Sequence, residues 1–170
     1  SAARSTWELD EPMEEIMAQL LRYRERAGAE IVLLPLGYCH ADERFLKRLC
    51  RESGGVFRYI GVRSIFHMLS VLAASDLFIG TSMHGNITAL SYGIPHLFGP
   101  IRVDKAEGFL DMVDLSPDFK LRSWQEINDK VDMIASLPAD FFTSRATRAK
   151  AEAHDSFDRL YAGLCADAET

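Results

Sequence analysis

Short apolar runs alternate along the chain with stretches in which apolar residues recur every three or four positions. Unbroken apolar runs favour strands buried on both faces, and the three-to-four spacing favours amphipathic helices. Five strands are predicted, at about residues 31–36, 57–60, 77–80, 96–98 and 118–121. With helices between them, this order predicts an α/β fold built on a doubly wound parallel sheet of about five strands.

Capping residues mark the ends of the predicted helices. The helices are expected at about residues 12–27, 43–53, 65–73, 83–92, 103–113, 123–137 and 139–165. Gly28 suits the left-handed position that ends the first of them, and Ser64 can cap the third. Ser123 with Glu126 fits a capping box. The last pattern predicts one long carboxy-terminal helix.

The most specific pattern lies within residues 75–105. An apolar strand at 77–79 is followed by Thr81 and Ser82, either of which can cap the helix predicted at 83–92. The predicted inward face of that helix comprises Ile87, Leu90 and Ser91. A strand–turn–helix unit this short places the amino terminus of the helix at the carboxyl edge of the sheet. Ligands of open α/β sheets bind at that edge.

His84 stands in the first turn of this helix, where free N–H groups and the helix dipole favour an anion. Its imidazole can donate or accept a proton near neutral pH, although a purely structural histidine is the alternative. Gly85 would let a ligand or another backbone approach closely. Thr81, Ser82 and Gly85 are therefore expected to offer hydroxyl and backbone donors to the anion, and Asn86 to face solvent.

Three basic residues follow predicted strands at the same edge. Lys105 lies beyond the turn at 99–100 and can hold a phosphate or carboxylate as a point charge, with a solvated loop lysine as the alternative. Arg102 is near enough to take the same role. Arg63 follows the strand at 57–60 and is a third candidate for binding the substrate.

These residues carry a resemblance to a known family. The segment Gly-Thr-Ser-Met-His-Gly at 80–85, the small-residue helix, Gly-Ile-Pro at 93–95 and the later Lys105 resemble the carboxy-terminal signature of the polysaccharide pyruvyl transferases. The resemblance covers about residues 57–115. Many members have Arg two residues before the His, where this chain has Ser82, and Arg102 is a candidate to stand in for it.

The resemblance implies an activity and an architecture. Members resemble glycosyltransferases of the two-Rossmann-domain (GT-B) type, and they move a pyruvyl group from phosphoenolpyruvate onto a sugar hydroxyl to give a ketal. It implies a catalytic role for His84 as acid, base or phosphate clamp, and a donor-binding role for Lys105. Residues 1–170 would then form one Rossmann-like, donor-side domain. The chain begins with Ser1, and a missing amino-terminal domain is expected as its partner, without which the chain would be inactive.

The amino-acid composition limits the classes of molecule that this chain is expected to bind. Hydrophobic residues make up 48% of the chain and the net charge is −6, which argues for a globular fold and against a general nucleic-acid or anionic-membrane surface. No apolar run reaches the length of a membrane span. Peripheral membrane association is therefore expected only through the acceptor, a glycan or lipid-linked sugar.

Cysteines are sparse, which fits reduced thiols in the cytoplasm. No metal and no cofactor are expected, because no metal-ligand spacing or dinucleotide fingerprint is visible.

Two other functions remain open from the sequence. A sugar-nucleotide-dependent GT-B glycosyltransferase half would bind a nucleoside diphosphate. A non-catalytic Rossmann-like binding module would respond to no ligand, and substitution of His84 would leave its full-length protein unaffected.

Overall fold

The computed structural model describes residues 11–36, 42–100 and 105–167. Its helices and strands in chain order are α1 (Glu11–Ala27), β1 (Val32–Leu33), α2 (Asp42–Glu52), β2 (Arg58–Tyr59), α3 (Ile65–Ala73), β3 (Phe78–Gly80), α4 (Met83–Ser91), β4 (His96–Phe98), α5 (Lys105–Met112), α6 (Ile127–Ala135) and α7 (Phe141–Asp167). Two short 3₁₀ helices, Pro117–Phe119 and Trp124–Glu126, lie between α5 and α6. The order confirms an α/β fold with a long carboxy-terminal helix.

The caps predicted at Ser64 and Ser82 form as the sequence indicates, whereas the capping box predicted at Ser123 and Glu126 does not, because Glu126 Oε2 accepts the N–H of Arg122 at 2.7 Å. Ser64 Oγ accepts the N–H of His67 at 3.2 Å at the start of α3, and Ser82 Oγ accepts the N–H of Gly85 at 3.2 Å at the start of α4. Gly93 follows α4 with φ +69°, a left-handed conformation that costs glycine little. These local contacts confirm the predicted helix ends to within one or two residues.

The prediction of one five-stranded, doubly wound sheet is wrong. β1 pairs in parallel with β2, and β3 pairs in parallel with β4, with Gly80 opposite Phe98; these are two separate two-stranded sheets. The predicted fifth strand contributes a single parallel bridge, between Phe98 and Lys120. Its first residues instead form the 3₁₀ helix Pro117–Phe119, which Ser116 caps.

Apolar side chains and a small cavity, instead of a backbone ladder, lie between β1 and β3. Pro35 follows β1, is fully buried and has no N–H to donate to a ladder. Beyond it, the side chains of Leu36 and Phe78 both press on Gly85, where an added Cβ would lie 2.5 Å from one and 2.7 Å from the other. A largely apolar cavity of about 140 Å³ lies between the two sheets, bordered by β1 and β3. The two sheets therefore meet through side chains instead of backbone hydrogen bonds.

Two apolar clusters form the core. The larger surrounds β4 and joins it to α4, α5, α6 and the start of α7. The smaller consists of Met13, Ile16, Leu33, Leu49 and Phe57. Leu20 and Trp124 contact both clusters. The β3–α4–β4 unit is thus anchored in the larger core, which makes it a firm support for residues at its carboxyl edge.

Candidate functional site

The carboxyl ends of β3 and β4 lie side by side. The strands are parallel with Gly80 opposite Phe98, and the N–H of Gly99 donates to the Gly80 carbonyl at 3.0 Å, one residue beyond the ladder. Helix α4 begins three residues after Gly80, and α5 begins at Lys105 after the chain leaves β4. Helix α4 therefore starts at the carboxyl edge of this sheet, and α5 is the next described helix after β4 along the chain.

Asn86 holds the turn between β3 and α4. It is 0% exposed, and its Nδ2 donates to the carbonyls of Gly80 at 3.0 Å and Ser82 at 2.9 Å. Its backbone N–H also donates to the Ser82 carbonyl, at 3.1 Å. The expectation that Asn86 faces solvent is wrong. The side chain fixes the two peptide groups on either side of Thr81, and so sets the direction in which α4 leaves the strand.

Some of the hydrogen-bond donors that were expected to bind an anion at this turn form hydrogen bonds within the protein instead. Gly85 is buried, and its N–H is occupied by the Ser82 side chain, so the close approach that it permits is made by Leu36 and Phe78. Ser82 Oγ accepts that bond, which leaves its own hydrogen to donate. The N–H groups of Met83 and His84 precede the first bond of the helix and remain available to an anion.

His84 is the second residue of α4, and its side chain is exposed. It is therefore accessible to a ligand at the edge of the sheet. Arg63 is also exposed, but it follows β2 in the other sheet, and its N–H donates to Nδ1 of His67 at 3.3 Å. His67 closes that loop. His84 therefore lies at the carboxyl edge of the β3–β4 sheet, Arg63 follows a strand of the other sheet, and the convergence of Lys105 with His84 stays a prediction.

Lys105 is the first residue of α5 and is exposed. No carboxylate of the described residues pairs with it. Glu107, two residues further along α5, binds Lys120 at 2.7 Å instead. Arg102 lies outside the described residues. Lys105 is therefore the basic residue that the described structure offers at the end of β4.

Trp124 borders the candidate site, a position that the sequence analysis did not predict for it. An added Cβ on Gly99 would lie 2.7 Å from the Trp124 ring and 2.8 Å from Cγ2 of Thr81, so both side chains flank this glycine. Trp124, Thr81 and Ser82 also line the cavity between the two sheets. A glycine directly after a predicted strand was the available signal that another side chain crosses there.

Comparison with protein families supplies the assignment. The model of the family described as polysaccharide pyruvyl transferase matches residues 1–98, more than half of the chain. The chain belongs to the polysaccharide pyruvyl transferase family. No curated protein and no solved structure gives a match.

The family match confirms the resemblance found in the sequence, although the two cover different ranges. The matched region, 1–98, includes β3, His84 and all of α4, and it ends with β4. Lys105 lies beyond it. Family membership therefore bears most directly on the turn that carries His84, and it implies a transferase that acts on polysaccharide.

The structure shows the role of Ser82, the residue at which this chain departs from the family pattern. Where many members carry Arg, Ser82 caps α4 through its hydroxyl. The cation that is absent from this position must come from elsewhere if the donor is an anion. Among the described residues, no helix is both long and apolar enough to cross a bilayer, and no three His, Cys, Asp or Glu residues form a metal-binding group.

Proposed function

We propose that the protein containing this chain transfers a pyruvyl group from phosphoenolpyruvate to a sugar hydroxyl of a polysaccharide or glycan precursor. The carboxyl edge of β3 and β4 would hold the donor, and His84 would act on it. The observation that carries the proposal is the exposed imidazole in the first turn of α4, beside a capped helix terminus, within the region that matches the family.

The reaction sets the requirements of the site. The methylene carbon of phosphoenolpyruvate gains a proton, and a sugar oxygen forms a bond to the neighbouring carbon. The bond from that carbon to the phosphate oxygen breaks, and phosphate leaves with the electron pair. A second hydroxyl completes the ketal. Of the two hydroxyl protons released, one ends on the new methyl group and the other on phosphate.

His84 would carry out the proton transfers or hold the phosphate. The free N–H groups of Met83 and His84, together with the Ser82 hydroxyl, would receive the anionic donor at the helix terminus. Lys105 would offset the charge that develops on the departing phosphate, with Arg102 and Arg63 as further basic candidates. Thr81 and Gly85 would support this turn from β3.

We further propose that residues 1–170 form the donor-side half of a two-domain protein of the GT-B type. An upstream α/β domain would supply most contacts to the acceptor. Reduced, widely spaced cysteines favour action in the cytoplasm, with membrane contact only through a lipid-linked acceptor.

The test is release of inorganic phosphate from phosphoenolpyruvate by the full-length protein, measured with candidate glycan acceptors. His84→Asn should lower kcat by roughly 10²-fold or more, since general acid–base groups contribute at least that much. His154→Asn is the matched control, because His154 is an exposed histidine of α7, away from the sheet edge. It should leave turnover unchanged.

Two outcomes would contradict the proposal. One is full turnover by the His84→Asn variant. The other is consumption of a nucleoside diphosphate sugar in place of phosphoenolpyruvate, which would indicate a glycosyltransferase. A nuclear magnetic resonance titration with phosphoenolpyruvate adds a readout independent of turnover, because the resonances of His84 and Lys105 should shift while that of His154 does not.

A further inference from the structure

A second groove lies away from the β3–β4 edge, between α2 and β2. It has a volume of about 570 Å³, which is within the size range of small-ligand sites. Its walls are formed by Glu43, Arg44, Lys47, Cys50, Arg51 and Tyr59. Three cations and one carboxylate thus line it, in a chain whose net charge is −6.

The carboxylate of the groove is already satisfied. Glu43 accepts a hydrogen bond from Lys47 Nζ at 2.6 Å. That bond, together with the positive charge of Lys47, holds the pKa of Glu43 below its usual range, so the carboxyl group is ionised at neutral pH. Lys47 also lies 5.4 Å from the centre of the Tyr59 ring. Glu43 and Lys47 therefore offset each other within the groove.

The two arginines are left with their full charge. Arg44 and Arg51 are exposed and seven residues apart on α2, so they lie on one face of the helix, about 10 Å apart along its axis. No carboxylate of the described residues pairs with either of them. A guanidinium group binds a carboxylate through two parallel hydrogen bonds. The groove therefore offers two carboxylate-binding groups beside an aromatic ring.

We propose that this groove binds a sugar residue that bears a carboxylate, such as the pyruvyl ketal on a stretch of glycan that has already been modified. The choice of ketal rests on the proposed function, because each transfer would leave one carboxylate on the acceptor. The Tyr59 ring offers an apolar face for the sugar, and Arg44 or Arg51 binds its carboxylate. The overall negative charge of the chain disfavours an extended polyanion such as nucleic acid as the occupant.

The test is calorimetric titration of the full-length protein with a methyl hexoside that carries a 4,6-pyruvate ketal. The methyl ester of the same ketal is the matched ligand, since it has nearly the same shape without the charge. The free acid should bind at least tenfold more tightly than the ester. The double variant Arg44→Gln/Arg51→Gln should weaken binding of the acid at least tenfold and leave that of the ester unchanged.

A charge-matched control is available on α1. Arg22→Gln/Arg24→Gln removes two exposed arginines from a helix outside the groove, and it should bind the acid as the unaltered protein does. Equal binding of acid and ester would overturn the proposal, as would normal binding by the Arg44/Arg51 double variant. Displacement of the ketal by an equal concentration of inorganic phosphate would also overturn it, because that result would indicate a general anion patch.

The proposal for the groove and the proposal for the reaction can be contradicted independently. A His84→Asn variant with full turnover would contradict the reaction, and the ketal titration would still test the groove. A disaccharide containing a uronic acid then serves as the probe in place of the ketal, and its binding should depend on Arg44 and Arg51 in the same way. If neither acidic sugar binds, the groove proposal is wrong whatever the reaction.

Discussion

His96 makes the stability of the fold depend on pH. It lies in β4 and is 0% exposed, with its ring 5.4 Å from that of Phe142. Nδ1 is 2.9 Å from the Ile94 carbonyl, to which it donates, and Nε2 is buried with no partner among the described residues. Burial lowers the pKa of His96, against a smaller opposing effect of the Ile94 hydrogen bond. A proton on Nε2 would place an unpaired charge in the larger core.

The sign and size of the effect follow from linkage. In the unfolded chain the histidine titrates near pH 6.5, and in the folded protein it titrates lower. Below pH 6.5 the unfolded state therefore binds more protons, so the free energy of unfolding falls as pH falls toward the lowered pKa. One such group contributes a slope of at most about 1.4 kcal/mol per pH unit. Above about pH 7.5 its contribution should be constant.

Urea unfolding at pH 7.5, 6.5 and 5.5 measures this dependence while staying above the range in which most carboxylates titrate. The free energy of unfolding should be lower at pH 5.5 than at pH 7.5 by up to about 1.4 kcal/mol. His96→Phe keeps a ring beside Phe142 and cannot be protonated, so the difference should largely vanish. His154→Phe, at an exposed position, should keep it. A flat profile for the unaltered protein, or an unchanged slope in His96→Phe, would refute the reasoning.

Two further predictions concern the sheet edge. Asn86→Ala should lower the free energy of unfolding by roughly 1–3 kcal/mol, because two side-chain hydrogen bonds worth about 0.5–1.5 kcal/mol each are lost, although each carbonyl keeps a backbone N–H donor; a loss under a few tenths in urea unfolding would mean that the turn does not need this clamp. Gly99→Ala should destabilise by about 1–3 kcal/mol through collision with Trp124. Gly108→Ala, in α5 with open space around it, should instead stabilise by up to about 1 kcal/mol, and the same sign for both variants would contradict this account.

The helix ends were predictable because their causes are local in sequence. The Ser64 and Ser82 hydroxyls each accept an N–H three residues later, and Gly93 takes a left-handed conformation directly after its helix. Each of these contacts is completed within one turn of chain. Identifying the residue types at the right spacing was therefore sufficient.

The sheet was not predictable in the same way, because pairing depends on residues far apart in the chain. An apolar run such as 31–36 indicates a buried strand, but only two of its residues form a ladder in the structure. Pro35 has no backbone N–H to donate to a ladder, and the side chain of the next residue, Leu36, packs against Gly85. The run predicts burial only in part, because Leu33 and Pro35 are buried, Val32 is 37% exposed and the other residues of the run are half-buried. Whether burial is achieved by a ladder or by side-chain packing is decided by what lies opposite.

The inward face of α4 shows why the clamp at the site escaped prediction. The helical spacing of Ile87, Leu90 and Ser91 predicted that all three face inward, yet Ile87 is 39% exposed, Ser91 is exposed, and the buried side chains are those of Asn86, Ala89 and Leu90. The face is rotated by one residue because the amide of Asn86 satisfies two carbonyls of the turn. Burial of a polar side chain is favourable where such partners exist. The turn between β3 and α4 supplies those partners, so hydrophobic patterning is unreliable at this strand-to-helix junction.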